Sequence, residues 1–379
     1  MQALAELGIQ VGAKGSSLEF ICSANRSPDD PDSLRLATQG LVALRRERLT
    51  ARILVARFKR ENLVSWTGTE IASDPRGYVK FNDQAFTAQG FSFLRPLLRS
   101  KRGVRKPKPT PVLIDVVDER CDMSTMSSFR ARAKKATCRG QNRLSYLGVV
   151  ASRSFDSEAW VEGRRWGFLV LNLQREFGDE ALEAMALLER AYVGVRASSI
   201  EATSEEIAQL GSVLQDLRVN PVVADLRSIG FEVLTGLALR AQGWEGVMLS
   251  QDVAFGNTTR DVDVLGHRED DLRIVECKAY HSGKELAAGE VKKFYTETVP
   301  ACRKWWTESH GAPKRCLAEI WTTGIVGQEA REELERTSLD ARVIPQMIEA
   351  AQIESNLPTT IRGRASGLLS SISSGTGLD

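Results

Sequence analysis

Histidine is scarce in this 379-residue chain, with only His267, His281 and His310, and its cysteines (Cys22, Cys121, Cys138, Cys277, Cys302 and Cys316) never form a CxxC pair. So few histidines exclude a His-rich metal centre. The scattered cysteines exclude a zinc ribbon and fit reduced thiols in a cytoplasmic protein. Apolar runs are short, with pieces such as residues 167–171 among the longest, far below the ~20 residues of a membrane span. The first residues lack the basic start and apolar stretch of a secretory signal. No GxSxG elbow or GxGxxG fingerprint occurs, and residues 8–14 have the wrong spacing for a phosphate loop. These absences leave a cytoplasmic protein with no membrane partner as the expectation.

What is present is an ordinary globular composition, 42% hydrophobic and 26% charged, on a chain long enough for two domains. The net charge of +2 conceals an uneven distribution. Residues 95–139 carry thirteen Lys/Arg against four acids, a local +9. A basic band on a nearly neutral protein suits a polyanionic partner. Arg99, Lys101, Arg102, Arg105, Lys106, Lys108, Arg130, Arg132, Lys134 and Lys135 are the nucleic-acid-binding candidates, with Lys292 and Lys293 further along.

Hydrophobic periodicity gives an α/β pattern. In the first half, strands are expected at 17–22, 51–58, 112–118, 146–152 and 168–173. Helices are expected at 33–49, 83–99, 127–138, 156–163 and 179–192, and a Lys/Pro-rich stretch at 106–111 forces extended chain. The small, polar residues 197–203 mark a boundary. It divides an amino-terminal domain (1–198) from a carboxy-terminal one (199–357), and a Ser/Gly-rich segment (358–379) reads as a flexible tail. In the second domain, helices at 204–218 and 221–242 precede a meander of strands at 247–255, 259–266 and 272–278. A helix at 285–298, a strand at 317–322 and a helix at 328–336 follow. Residues 149–159 echo residues 320–330, and Val116-Val117-Asp118 echoes Ile274-Val275-Glu276. The first half is thus a candidate degenerate copy of the second.

The meander holds the chemistry. Residues 258–266 read TTRDVDVLG and residues 272–280 read LRIVECKAY, joined by a polar turn. Alternation along a strand puts Glu276 and Lys278 on one face and Cys277 on the other. Pairing across the turn brings Asp263 to the same edge. Carboxylates at the ends of apolar strands are costly to bury without a compensating cation. Two acids and a lysine suit metal-assisted attack of water on a phosphodiester. Magnesium, with manganese as substitute, prefers the oxygen ligands of Asp263, Glu276 and the Cys277 carbonyl. A lysine beside two carboxylates stays protonated and stabilises charge. Cys277 is a small core residue, and Glu232 on the preceding helix is close enough in sequence order to join the cluster.

This order of helix, hairpin, Glu276-x-Lys278, helix and strand resembles the PD-(D/E)xK, or restriction-endonuclease-like, nuclease superfamily and its Mrr-like members, over about residues 221–340. The resemblance implies a mixed sheet flanked by helices. It makes Asp263 and Glu276 metal ligands, Lys278 the catalytic lysine and Glu232 an auxiliary helix acid. Val262 stands where the motif has proline. The glutamine that many Mrr-like enzymes carry on the next helix is absent, with Lys292 and Lys293 there instead. The implied activity is a magnesium-dependent endodeoxyribonuclease of restriction, repair or anti-phage defence type, acting on DNA with RNA not excluded. Two alternatives stand beside it: a catalytically inactive nucleic-acid-binding or assembly subunit, and a defence nuclease gated through the first half by a small ligand or partner protein. Double-strand cutting needs two active sites, which is compatible with a homodimer.

Overall fold

The computed structural model describes residues 9–13, 19–23, 31–72, 78–94, 108–139, 142–197, 199–217, 220, 222–255 and 258–374. Arg99, Lys101, Arg102, Arg105 and Lys106 lie outside them. The principal elements of the first half are α1 (Pro31–Arg60), β1 (Glu70–Ile71), β2 (Ala88–Ser92), β3 (Thr110–Cys121), α2 (Met123–Thr137), β4 (Leu147–Phe155), α3 (Ser157–Arg165), β5 (Leu169–Asn172) and α4 (Asp179–Ala197). Then come α5 (Ile200–Asp216), α6 (Val223–Ala241), β6 (Glu245–Phe255), β7 (Thr258–Arg268) and β8 (Asp271–Lys278). The second half closes with α7 (Ala288–Lys293), a π-helical turn (Phe294–Thr298), α8 (Val299–His310), β9 (Arg315–Thr322), α9 (Gln328–Arg336), β10 (Val343–Ile348), α10 (Ala350–Asn356) and α11 (Thr359–Ser373).

The ten strands form two five-stranded sheets, β1-β2-β3-β4-β5 and β6-β7-β8-β9-β10. Strand directions match as well as order. The first two pairings in each sheet are antiparallel and the last two parallel. In both, a helical segment follows the third strand and another follows the fourth. The two sheets therefore share strand order and direction. The residues matched in the internal echo do not keep one register. Ile320 pairs with Glu276, whereas its counterpart Val149 pairs with Ile114, so the position matching Glu276 is Ile114 and not Asp118.

Each sheet is covered on both faces. Helix α1 packs on β3, α6 packs on β6, β7 and β8, and α4, α5 and α11 join them in the space between. One apolar cluster runs through this middle layer, from Ile53 and Leu54 of α1 through Leu188, Leu210 and Leu237 to Val264, Val275 and Leu368. The two halves consequently share a core. A second cluster around Phe294, Tyr295 and Trp306 covers the far face of the second sheet. A third, around Met126 and Phe129, covers the far face of the first. Among the described residues no helix is long and apolar enough to cross a membrane.

Three sequence expectations are corrected. Residues 51–58 are helix, the continuation of α1, because Ala51, Leu54, Val55 and Phe58 bury a stripe of helical spacing. Residues 84–92 are strand (Gln84–Phe86 and β2) instead of helix, with burial alternating along Ala88–Ser92. The expected tail contains α11, whose Ile361, Ala365, Leu368 and Ile372 are buried at helical spacing. Helix α11 approaches α5 so closely that a Cβ on Gly211 would lie 2.5 Å from the Leu368 backbone nitrogen. Gly211→Ala is expected to cost about 1–3 kcal/mol by overpacking. Gly363→Ala, where nothing lies within 4 Å, should be neutral or stabilising. Urea denaturation of both variants checks this, and equal midpoints would refute the docking of α11.

Candidate active site

The hairpin forms where the sequence places it. Val264 pairs with Val275 and Leu265 with Ile274, all four buried, and Arg268 pairs with Asp271 across a two-residue turn. Glu269 in that turn has φ +52, the left-handed conformation that tight hairpins favour. One step past the Val264–Val275 pair the ladder changes character. The Asp263 carboxylate itself accepts the Cys277 backbone N–H, Oδ2 to N being 2.7 Å. A side chain thus replaces a backbone partner and pins Asp263 to the strand bearing Glu276 and Lys278.

Lys278 Nζ lies 2.9 Å from Glu276 Oε1 and 3.5 Å from Glu290 Oε1. Burial disfavours its ammonium, but Glu276 and Asp263 outweigh that and hold its pKa above the ordinary lysine value. It is a fixed positive charge, as the sequence implied. Cys277 packs inward as expected, its Sγ 3.5 Å from Thr235 Oγ1, and burial pushes its thiol well above the ordinary value.

Glu232 sits on the stretch of α6 in which every residue from Ile229 to Leu239 is buried, and is only 2% exposed. A carboxylate there must be paired. Its partner comes from the first half: Arg52 of α1 grips it with both nitrogens, NH2 to Oε1 at 2.6 Å and NH1 to Oε2 at 2.9 Å. Ser250 Oγ completes the knot, 2.7 Å from the same Arg52 nitrogen and 3.0 Å from Glu232 Oε2. Ser250 has φ +48, a conformation uncommon outside glycine that marks a locally strained strand.

Further acids crowd the same edge. Asp252 and Asp261 are direct cross-strand partners, a like-charge pairing that is destabilising. Burial raises the Asp263 pKa well above its usual range, and Glu276, Glu232 and Asp261 add to the shift. Asp261 opens on solvent at the mouth of the site, yet the surrounding protein and nearby Glu232, Asp252 and Glu276 push its pKa up to about 6 against the pull of Arg52. Beside this edge, α1, α4, the β1 segment and the β6–β7 strands line an open cavity of about 490 Å³, to which Arg52, Lys59, Ser250, Asp252 and Asp261 all contribute.

Among the described residues no three His, Cys, Asp or Glu side chains converge tightly enough to make a ready metal cage. What is present is two carboxylates, Asp263 and Glu276, with the Cys277 carbonyl directly after Glu276 in sequence. That donor set suits a hard cation that keeps several waters, and the surplus of negative charge favours one. Two contributors escaped the sequence reading. Arg52 is 180 residues from Glu232, and only the fold reveals the pair. Glu290 on α7, which also accepts the Tyr280 hydroxyl at 2.6 Å, stands on the helix that lacks the Mrr-like glutamine.

The proposed nucleic-acid contacts divide. Lys108, Lys134, Lys135, Lys292 and Lys293 are exposed. Arg132 instead bonds the Asp115 carboxylate and the Ala85 carbonyl, and Arg130 stacks 4.0 Å over Trp166. Both have structural employment in the first half.

No protein-family model matches the chain, and no curated protein matches it. Two solved structures are similar to it at a low level. Protein VC1899 from Vibrio cholerae is 12% identical, with 67% of this chain and 82% of that chain covered and a TM-score of 0.24. Can2 from Sulfobacillus thermosulfidooxidans, in complex with cyclic tetra-adenylate, is 8% identical, with 69% and 90% covered and a TM-score of 0.25. Overlays at these scores assign no family.

The acid crowding has a pH signature. A carboxyl whose folded pKa lies above its unfolded value contributes stability that is full below the unfolded value and is lost as pH rises through the folded one. For Asp261 that window runs from 3.8 to about 6. Metal-free protein should therefore lose thermal stability across it, and Asp261→Asn should flatten that slope. Superimposable melting-temperature profiles for the two proteins would contradict the crowding.

Proposed function

We propose that the chain is a magnesium-dependent nuclease hydrolysing DNA phosphodiester bonds at the β7–β8 edge. The observation that supports this most is the meeting of Asp263, Glu276 and Lys278 at one strand end, with Asp263 fixed by the Cys277 N–H. Asp263, Glu276 and the Cys277 carbonyl would hold the cation, which when bound supplies Lewis-acid polarisation of the phosphate and a more acidic water. The remaining tasks fall to the chain. Lys278 presents a permanent positive charge to the phosphoryl oxygens as negative charge builds. Glu276 and Glu290 hold the Lys278 side chain from two sides. The exposed Lys292 and Lys293 follow on α7 and offer phosphate contacts without sequence readout.

A second reading, that the first half governs cutting, has its own observation. The buried acid nearest this edge on α6 takes its charged partner from α1, with the Ser250 hydroxyl of its own half beside it.

Asp263→Ala and Lys278→Ala should each lower cleavage by about a hundredfold or more. A panel of single-stranded, duplex and branched DNA and of RNA, with and without magnesium, checks this. Equal cleavage by wild type and both variants would refute the site.

A further inference from the structure

Arg52 makes sense as more than a structural ion pair. Its positive charge is embedded in the carboxylate group on which the proposed function relies. Besides the bidentate contact with Glu232, it interacts electrostatically with Asp261 and Asp263. The cavity of about 490 Å³ that it lines gives the guanidinium room to withdraw without unfolding α1. A divalent cation entering beside Asp263 meets this fixed charge, and in a partly desolvated site such repulsion is large. A guanidinium cannot lose its proton to relieve it.

We infer that Arg52 is a built-in counter-ion of the carboxylate cluster, which competes with the divalent cation and lets the first half set the metal affinity of the second. The inference rests on the metal-dependent reading of the Asp263–Glu276 edge. While Arg52 grips Glu232, that acid is neutralised and held among apolar side chains. Moving Arg52 into the cavity would leave the Glu232 charge uncompensated and make the cluster more negative by one charge, in the cation's favour. Ser250, bonded to both members of the pair, is placed to keep Glu232 hydrogen-bonded when Arg52 leaves.

The test is a calorimetric titration of the full chain with manganese, which needs no turnover. Arg52→Gln should bind manganese at least about tenfold more tightly than wild type, a gap of ~1.4 kcal/mol. Because that change leaves Glu232 buried without its partner, the same comparison is made in a background lacking the charge. Arg52→Gln/Glu232→Gln should bind more tightly than Glu232→Gln by a similar factor, and Arg52→Lys, which keeps the charge, should stay near wild type. Unchanged or weaker binding on removing Arg52 in the Glu232→Gln background would overturn the counter-ion role. Asp263→Asn separates the two levels. If it binds manganese as wild type does, the site reading fails whatever Arg52 does; if it abolishes binding while removal of Arg52 has no effect, only the counter-ion role fails. Absence of manganese binding by every protein would overturn both.

Discussion

Negative charge in excess at the end of one β-hairpin is the constraint that organises this molecule. Asp252, Asp261, Asp263, Glu276 and Glu232 share electrostatic space with only a few cations, chiefly Arg52, Lys278 and Lys59. Like charges at such spacing repel one another, and a chain built for stability alone would not gather them. Each neighbouring feature answers the crowding. The Cys277 N–H is diverted to Asp263, Lys278 lies between Glu276 and Glu290, and Arg52 reaches across the shared core to Glu232.

The two sheets show how one topology yields one site. Both run antiparallel, antiparallel, parallel, parallel in sequential order, and both send a helix back from their third strand. In the second sheet that strand ends in Glu276 and Lys278. In the first, the matching register position is Ile114. The neighbouring acid Asp115 is buried and closed off by Arg132, while Asp118 faces Arg46 at 3.4 Å. Asp115 and Asp118 are thus each paired by an arginine of their own half. The asymmetry is electrostatic and not architectural.

Much of this was legible in the sequence, for identifiable reasons. The β7–β8 hairpin announces itself through strict alternation on both sides of a polar turn, so the strands and the meeting of Asp263 with Glu276 follow from period two alone. Helix α9 matched to the residue (Gln328–Arg336). The failures are equally physical. Ile53-Leu54-Val55 looks like strand until it is seen continuing the stripe of a 30-residue helix. Serine and glycine in α11 masked four apolar residues at helical spacing. Arg52 was invisible because its meaning lies in a partner 180 residues away, and local periodicity carries no information over such separations.

Anomalous diffraction from crystals soaked in manganese tests directly whether a divalent cation resides at the β7–β8 edge. The expected result is a peak ligated by the Asp263 and Glu276 carboxylates and the Cys277 carbonyl. At saturating manganese, a peak elsewhere, or none while both carboxylates keep only protein partners, would contradict it.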